Sequence, residues 1–467
     1  MTFFLSKNVS AKTTSVISLI ALLIFLPLLL LAAYQTVTLI SRAVGSPASV
    51  VVDAKMPLGP VTTDFYHAFS QGGEESTDML APILAETKAL KPKVIRLDHL
   101  YDHYDVVGGG SGNLSFSWDK LDAAVNTILA TGAKPLLALS FMPKNIARDG
   151  SIINPPNNWD DWAVVVQKTI EHYSGRGGKN LSGVYYEVWN EPDLAQFGSW
   201  KLSGDKNYLT LYRYAAIGAG NARGVNTFYL GGPATTGLYK NWIIALVKSG
   251  SRLDFLSWHS YLSDPKRYNQ DQRNIISWLL PYPTYTLIPK LITEFGFTGD
   301  KSTLYSSMYA AAHTAAVVRQ LIQGQPAYLF SFQPKDGPDQ REGDGWGLVT
   351  HENNGKKLKP RYYVYNFLDA MKGTMLELTG EGSWVTGFAS TQNNTIRIML
   401  VNFDANGTHT ENVPITINNL EPGNYTWRER FLLGRDTTLT ETVSETSLTK
   451  ELFMPSQSVA ILEVTKQ

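Results

Sequence analysis

The sequence predicts an α/β protein: a (β/α)8 barrel of the TIM type, followed by an antiparallel β-sandwich domain and preceded by an N-terminal transmembrane helix. Three observations carry this reading. Short apolar runs alternate with helix-like stretches from residue 62 to residue 372. From about Met375 the pattern becomes strands separated by turns containing Asn, Gly and Pro. From Val16 to Tyr34 no charged residue occurs.

The N-terminal run, "VISLIALLIFLPLLLLAAY", is 19 residues long. At about 1.5 Å per residue it nearly crosses a hydrocarbon core of about 30 Å. It is longer than a usual signal-peptide core and follows Lys7 and Lys12. Residues 1–47 therefore read as a cytoplasmic stub and a single-pass signal anchor, with the rest of the chain extracytoplasmic. The alternative is a signal peptide cleaved near "SRAVGSPAS", which would leave a secreted protein. Arg42 puts positive charge on the outer flank as well.

Residues 48–374 read as the barrel, with 48–58 also able to lend a strand to the sandwich. Candidate strands are 62–70, 93–98, 134–140, 184–190, 227–232, 254–261, 290–295 and 327–332. Runs such as "LLALS" and "LITEF" are apolar on both faces, as parallel strands covered on both sides must be. Helical stretches fall at 76–90, 119–131, 159–173, 206–223, 239–249, 270–279, 303–323 and 361–372. That count and spacing match a (β/α)8 barrel. A doubly wound sheet would call for a Gly-rich phosphate loop after the first strand, and "FSQGGEE" has the wrong spacing for one. Residues 375–467, with alternating segments such as "TIRIMLVNF" and "SVAILEVTK", read as the β-sandwich.

Composition limits the partners. Lys plus Arg and Asp plus Glu both total 41, which gives no support to a nucleic-acid partner. The chain has no cysteine, so disulfides and thiolate metal sites are excluded. Its 11 Trp, 23 Tyr and 19 Phe suit either a large core or a cleft that stacks sugar rings. Nothing in the sequence points to a cofactor or to an oligomeric state.

In such a barrel, chemistry sits where the strands end. The fourth strand ends in Asn190-Glu191 and the seventh in "LITEF", with Glu294. These strands face each other across the mouth. Paired carboxylates are what glycoside hydrolysis needs: one protonates the leaving oxygen, the other attacks or activates water.

At this point the motifs resemble a known family. "YYEVWNEPDL" is similar to the strand-four signature of clan A glycoside hydrolases, and most of all of family 39, the xylosidase- and iduronidase-like enzymes. "LITEFGF" resembles that clan's strand-seven segment, "DFLSWHSY" its strand six, and "KPLLALSFMPKNIA" family 39 around strand three. "GLVTHENNGKKLKPRYYVYNFL" resembles the stretch leading into the final barrel helix. The resemblance covers residues 60–372. It implies a retaining O-glycosyl hydrolase acting by double displacement on a polysaccharide or oligosaccharide.

In that scheme Glu191 is the acid/base, its pKa raised by apolar neighbours such as Trp189, and Glu294 is the ionised nucleophile. Arg96 and Tyr261 hold Glu294 charged, Asn190 bonds the sugar 2-hydroxyl, and His259 lines the cleft. The family's last strand usually offers a Trp platform. Here "AYLFSFQPKDG" has none. Phe330 takes the matching place, and Trp346, in "REGDGWGL", approaches from another direction. The departure leaves the sugar open.

Other motifs are weaker. "DHLYDHYD" carries His99 and His103 four apart beside Asp98, Asp102 and Asp105, but lacks the Glu of a zinc motif and reads as a cleft loop. No metal site is expected. "QGGEE" (71–75) is either a polar turn or a sugar contact. Two rival readings share the scaffold: a non-catalytic carbohydrate-binding or cell-surface protein, and a transglycosylase.

Overall fold

The computed structural model describes residues 45–324, 326–340 and 344–467. The anchor expected over residues 1–47 falls almost wholly outside them. Among the described residues no helix is long and apolar enough to cross a membrane.

The described chain starts with β1 (Val50–Pro60), which joins the C-terminal sheet and not the barrel. The first two barrel strands are β2 (Ala68–Gln71) and β3 (Val94–Leu97). A hairpin, β4 (Val107–Gly110) and β5 (Asn113–Phe116), follows. Then come β6 (Lys134–Leu139), β7 (Val184–Val188), β8 (Phe228–Thr235), β9 (Phe255–Tyr261), β10 (Lys290–Gly296) and β11 (Tyr328–Phe332). The parallel ladder β10-β11-β2-β3-β6-β7-β8-β9 closes on itself as a barrel.

Strand alternation sorts the side chains. Ala68, Val94, Leu136, Phe255, Leu291 and Phe330 fill the barrel interior, with Tyr185, Tyr229 and Tyr328 packed against them. Ile95, Leu137, Leu139, Tyr186 and Val188 pack with helix residues such as Val165, Val166 and Ile170 in the outer core. Each such side chain taken fully out of water contributes about 1.5–3 kcal/mol. Helix starts are fixed locally: Asn158 accepts from the amide of Asp160, Asn207 from Leu209 and Ser307 from Tyr309. A cap of this kind stabilises by about 1 kcal/mol.

Two barrel segments differ from the sequence expectation. The helix expected over 76–90 is a 3-10 turn, Ala81–Ile83, running into a short helix, Leu84–Ala89. Pro82 suits only a helix start, and of the residues before it Gly72, Gly73 and Glu74 line the mouth. The β4–β5 hairpin was not expected, because "VGGGSGNLSF" offers strands of only four residues split by glycines.

The second domain holds β12 (Thr374–Thr379), β13 (Val385–Gln392), β14 (Thr395–Asn402), β15 (Glu411–Asn418), β16 (Gly423–Phe431), β17 (Asp436–Val443), β18 (Ser447–Met454) and β19 (Ser458–Lys466). With β1 they form one sheet in the order β17-β16-β19-β14-β13-β12-β1-β15-β18. It is antiparallel except where β1 pairs parallel with β15. Ile415 and Leu452 near one end share a core with Trp427 and Leu462 near the other, so the sheet curls over itself. Its strands serve two cores by alternation. On β14, Ile396, Ile398 and Leu400 enter the sheet's own core, while Met399 and Val401 join the barrel's outer core. The domains dock through helix Met308–Leu321, where Arg319 makes a bidentate pair with Glu381 at 2.7 and 2.6 Å and Tyr309 meets Phe403 edge-on.

Candidate active site

β7 stops at Val188, and the next residues leave the β region: Trp189 and Glu191 have φ of 75° and 42°. Non-glycine residues hold such angles only when their surroundings over-determine them. Here the Glu191 amide donates to Ala234 O at 2.9 Å and the Trp189 indole N–H to Phe197 O at 2.9 Å. The Trp189 ring is wedged edge-on against Phe141 and Trp200. The turn ends the wall strand and lifts Asn190 and Glu191 to the rim. On β10 the pairing register with β9 breaks between Ile292 and Glu294. Irregularities of this kind re-aim a side chain beside an active site.

Behind the two glutamates lies a fully buried guanidinium. Arg96, on β3, donates from Nε to Glu187 at 2.6 Å, from Nη1 to Glu294 at 3.0 Å and Ser70 at 3.2 Å, and from Nη2 to Asn190 Oδ1 at 2.7 Å. One planar fork thus fixes side chains from β2, β7, the β7 rim and β10, a task suited to Arg and not to Lys.

Glu294 also accepts from the Tyr261 hydroxyl at 2.6 Å. His259 Nδ1 lies 2.9 Å from Glu191 Oε1 and 3.5 Å from Glu294 Oε2. Single ligating atoms of Glu191, His259 and Glu294 all lie within 4.8 Å of one another. Burial, with the Glu191 carboxylate adding to it, pushes Glu294 up to about 7, against the opposing pull of His259, Arg96 and the Tyr261 hydroxyl. The sequence expectation that Arg96 and Tyr261 hold Glu294 charged took no account of this desolvation. Burial opposes charge on His259, but Glu294 and Glu191 raise its pKa. Burial and the Glu294 charge hold the Tyr261 phenol well above its ordinary value.

A cavity of about 600 Å³ opens over these groups. Of the residues expected from sequence, Asn190, Glu191, Glu294, Tyr261 and Trp346 line it. Arg96 and His259 do not. Both are fully buried and reach the carboxylates from behind: Arg96 makes the contact with Glu294 that was expected of it, whereas His259, expected to line the cleft, lies against the two glutamates instead. Phe330 is also corrected. It pairs with Ala68 in the filled interior, whereas Phe332 pairs with Ser70, the neighbour of Arg96, and lines the cavity. Both rings point inward, one layer apart. Phe332 meets Trp346 and Tyr261 at 66° and 81° between ring planes.

Sequence reasoning missed Glu187; Glu74, in the "QGGEE" turn weighed as a sugar contact, and Asp98, at the start of the expected cleft loop, both lie on the cavity wall. Glu187 was legible in principle: it shares the inward side of β7 with Tyr185, and a buried carboxylate there needs a cation.

Two further clusters of metal-type ligands occur among the described residues, His99–Asp102–His103 and Glu75–His351–Glu352. In the second, the Lys335 ammonium already supplies a cation, 3.0 Å from Glu75 and 2.7 Å from Glu352. In the first, His99 Nδ1 pairs with Asp102 at 2.7 Å, and Asp98 and Asp102 raise the His99 pKa to about 9 against the cost of its burial.

With this geometry in hand, the comparisons with known proteins are consistent. The family model described as "Glycosyl hydrolases family 39" matches residues 83–279. The β-xylosidase of Caldicellulosiruptor saccharolyticus is 27% identical over 66% of this chain and 69% of its own length. The β-xylosidase of Geobacillus stearothermophilus is 24% identical over 57% of this chain and 58% of its own. The solved structure of a monomeric β-xylosidase from Caulobacter crescentus CB15 superposes with a TM-score of 0.71 at 20% identity, covering 90% of this chain and 99% of that one. A bacterial orthologue of human α-L-iduronidase shares the fold too, with a TM-score of 0.66 at 14% identity, over 90% of this chain and 84% of that one.

Proposed function

We propose that the chain is a glycoside hydrolase, similar to family 39 of clan A, that cleaves O-glycosidic bonds with retention, Glu294 acting as nucleophile and Glu191 as acid/base. The observation that carries this reading is the approach of the two carboxylates, with ligating oxygens within 4.8 Å of each other. Retaining enzymes hold the pair about 5–5.5 Å apart, while inverting ones need about 6.5–9.5 Å to admit a water.

In the first step the ionised Glu294 oxygen bonds to the anomeric carbon as the C1–O bond breaks, and the Glu191 proton passes to the leaving oxygen. Water then attacks the glycosyl ester, Glu191 takes its proton, and the ester bond to Glu294 breaks. Arg96 and Tyr261 steady the carboxylate before attack and as it is released. Asn190, its oxygen engaged by Arg96, has its NH2 group left to donate to the sugar 2-hydroxyl, an interaction that strengthens as the oxocarbenium-like state forms. The uncharged run 16–34 supports an enzyme tethered to a membrane with this cleft outside.

Trapping tests the reading. A 2-deoxy-2-fluoro glycoside with an activated leaving group is expected to label Glu294, seen by peptide mass spectrometry. A label on another residue overturns the assignment.

A further inference from the structure

A second cavity, of about 770 Å³, opens on the outer wall of the barrel and shares no lining residue with the catalytic cleft. Residues 175–178 and 223–224 border it, in the loops that lead into β7 and β8. Those loops sit at the N-terminal ends of the strands, whereas Glu191 and Glu294 sit at the C-terminal rim. The volume falls within the range of about 300–1,000 Å³ usual for ligand sites.

One side of this cavity is aromatic. Phe116, at the end of β5, and Trp118 have ring planes 7° apart and centroids 5.7 Å apart, and His172 lies 7° from Trp118 at 4.4 Å. All three rings are half-buried, and Asp122 fixes the His172 ring by pairing with its Nε2 at 2.8 Å. Among the described residues the Trp118 indole N–H has no acceptor and, unlike those of Trp200 and Trp258, it is not buried. Half-exposed rings with a donor to spare suit a sugar, which offers C–H groups and hydroxyl oxygens together.

The other side is cationic. Arg176 and Arg223 are exposed, yet backbone carbonyls pin their guanidinium groups: Arg176 donates to Gly224 O at 3.4 Å and Val225 O at 3.3 Å, and Arg223 Nη1 to Gly220 O at 2.6 Å. Carbonyls fix position and leave the charge uncancelled. Glu171, the acid on this wall, is held by Lys168 at 2.8 Å, and the nearby Asp122 by Lys179 at 2.9 Å as well as by His172. The two loops are laced together by Arg176 N to Gly224 O and Asn226 N to Ser174 O, both at 2.8 Å. Gly178 lets the turn close on the helix Trp159–Tyr173, since a Cβ there would lie 2.1 Å from His172 O.

We propose that this cavity is a second, non-catalytic carbohydrate site that holds an anionic glycan chain, one bearing carboxylate or sulfate groups, on the outer wall of the barrel. The choice of a glycan rests on the hydrolase reading; the site itself goes beyond it. The guanidinium forks of Arg176 and Arg223 receive the anion, a geometry matched to two-oxygen acceptors. The rings of Phe116 and Trp118 pack against the sugar that carries it. Single-stranded nucleic acid also uses rings and cations, but the chain's 41 basic and 41 acidic residues leave no net charge to draw in a long phosphate backbone. A polymer held here leaves the catalytic cleft open, so the enzyme stays on its substrate between cleavages.

Calorimetric titration tests the site without turnover. The probes are a galacturonate tetramer, the same tetramer reduced to its neutral form, that neutral form sulfated, and a short single-stranded oligonucleotide. At least one anionic tetramer is expected to bind about 10-fold or more tighter than the neutral one, and the tighter of the two names the anion. Arg176→Ala with Arg223→Ala is expected to abolish that preference. Both side chains are exposed, so the melting temperature should stay near that of the wild type, as should hydrolysis of a small aryl glycoside. Absent or equal binding of the tetramers overturns the proposal. So does a preference that survives in the double variant, a matching loss of aryl-glycoside turnover, or tighter binding of the oligonucleotide than of any tetramer. A wild-type protein that turns over no aryl glycoside would instead count against the hydrolase reading, and the titration still measures this site.

Discussion

Arg96 Nε donates to Glu187 at 2.6 Å, and neither side chain is exposed to solvent at all. The pair is the foundation of the site. It consumes one edge of the guanidinium inside the barrel, and the remaining N–H groups then point to Ser70, Asn190 and Glu294. A single cation shared by two buried carboxylates leaves Glu294 less neutralised than a private partner would, which fits a carboxyl pushed up to about 7.

Removing that cation is expected to damage both stability and rate. Arg96→Met strands Glu187 and Glu294 as buried charges, and breaking such a pair costs about 3–5 kcal/mol. Urea unfolding reads the loss. In the fraction that still folds, kcat/KM is expected to fall about 100-fold or more, because Asn190 and Glu294 lose their common anchor. A variant that unfolds at the wild-type midpoint would refute the role of the pair.

Glu191 can be tested by substitution and rescue. It is the more accessible member, its side chain 13% exposed against 7% for Glu294, and it borders the cavity. Glu191→Ala is expected to slow turnover of poor leaving groups by about 100- to 10,000-fold, the usual worth of positioned proton transfer. Azide fits the space vacated and needs no base, so it should restore turnover and give a glycosyl azide of retained configuration. An inverted azide product would move the nucleophile to the other face.

The pH profile follows from Glu294. It attacks only as a carboxylate, and burial sets its pKa at about 7, so kcat/KM should fall as pH drops below about 7. An ordinary Glu would give an acid limb nearer 4.3. The Tyr261 hydroxyl favours the charged form by donating to it at 2.6 Å. Tyr261→Phe should therefore move the limb to higher pH, and a shift to lower pH would contradict this. The limb belongs to Glu294 and His259 as an interacting pair.

What could be read from sequence was what rests on periodicity and on strand ends. The eight barrel strands and the two rim glutamates follow from apolar runs that stop at polar residues, and both features are local. What escaped was depth along a strand. "VYYEVWNEP" holds two glutamates, and only Glu191 drew attention, because it sits at the tip. Glu187 lies inside the wall, where its meaning depends on Arg96, 91 residues away in sequence. Depth also separates Phe330 from Phe332. Alternation puts both inside, and only the register with β2 tells which layer faces the cavity.

That register yields the last prediction. Phe330 stands level with Ala68 and Val94, fully buried in the packed interior. Phe332 stands level with Ser70 and Arg96, at the floor of the cavity beside Tyr261 and Trp346. Two identical truncations two residues apart should therefore behave in opposite ways. Phe330→Ala empties a dry core and is expected to cost about 3–5 kcal/mol in unfolding free energy, with KM unchanged in the folded enzyme. Phe332→Ala removes an aromatic face from the cavity, so KM should rise several-fold while the larger part of the stability is kept. Thermal melts and initial rates on the two variants decide it, since a shared phenotype would mean that the two rings occupy one layer.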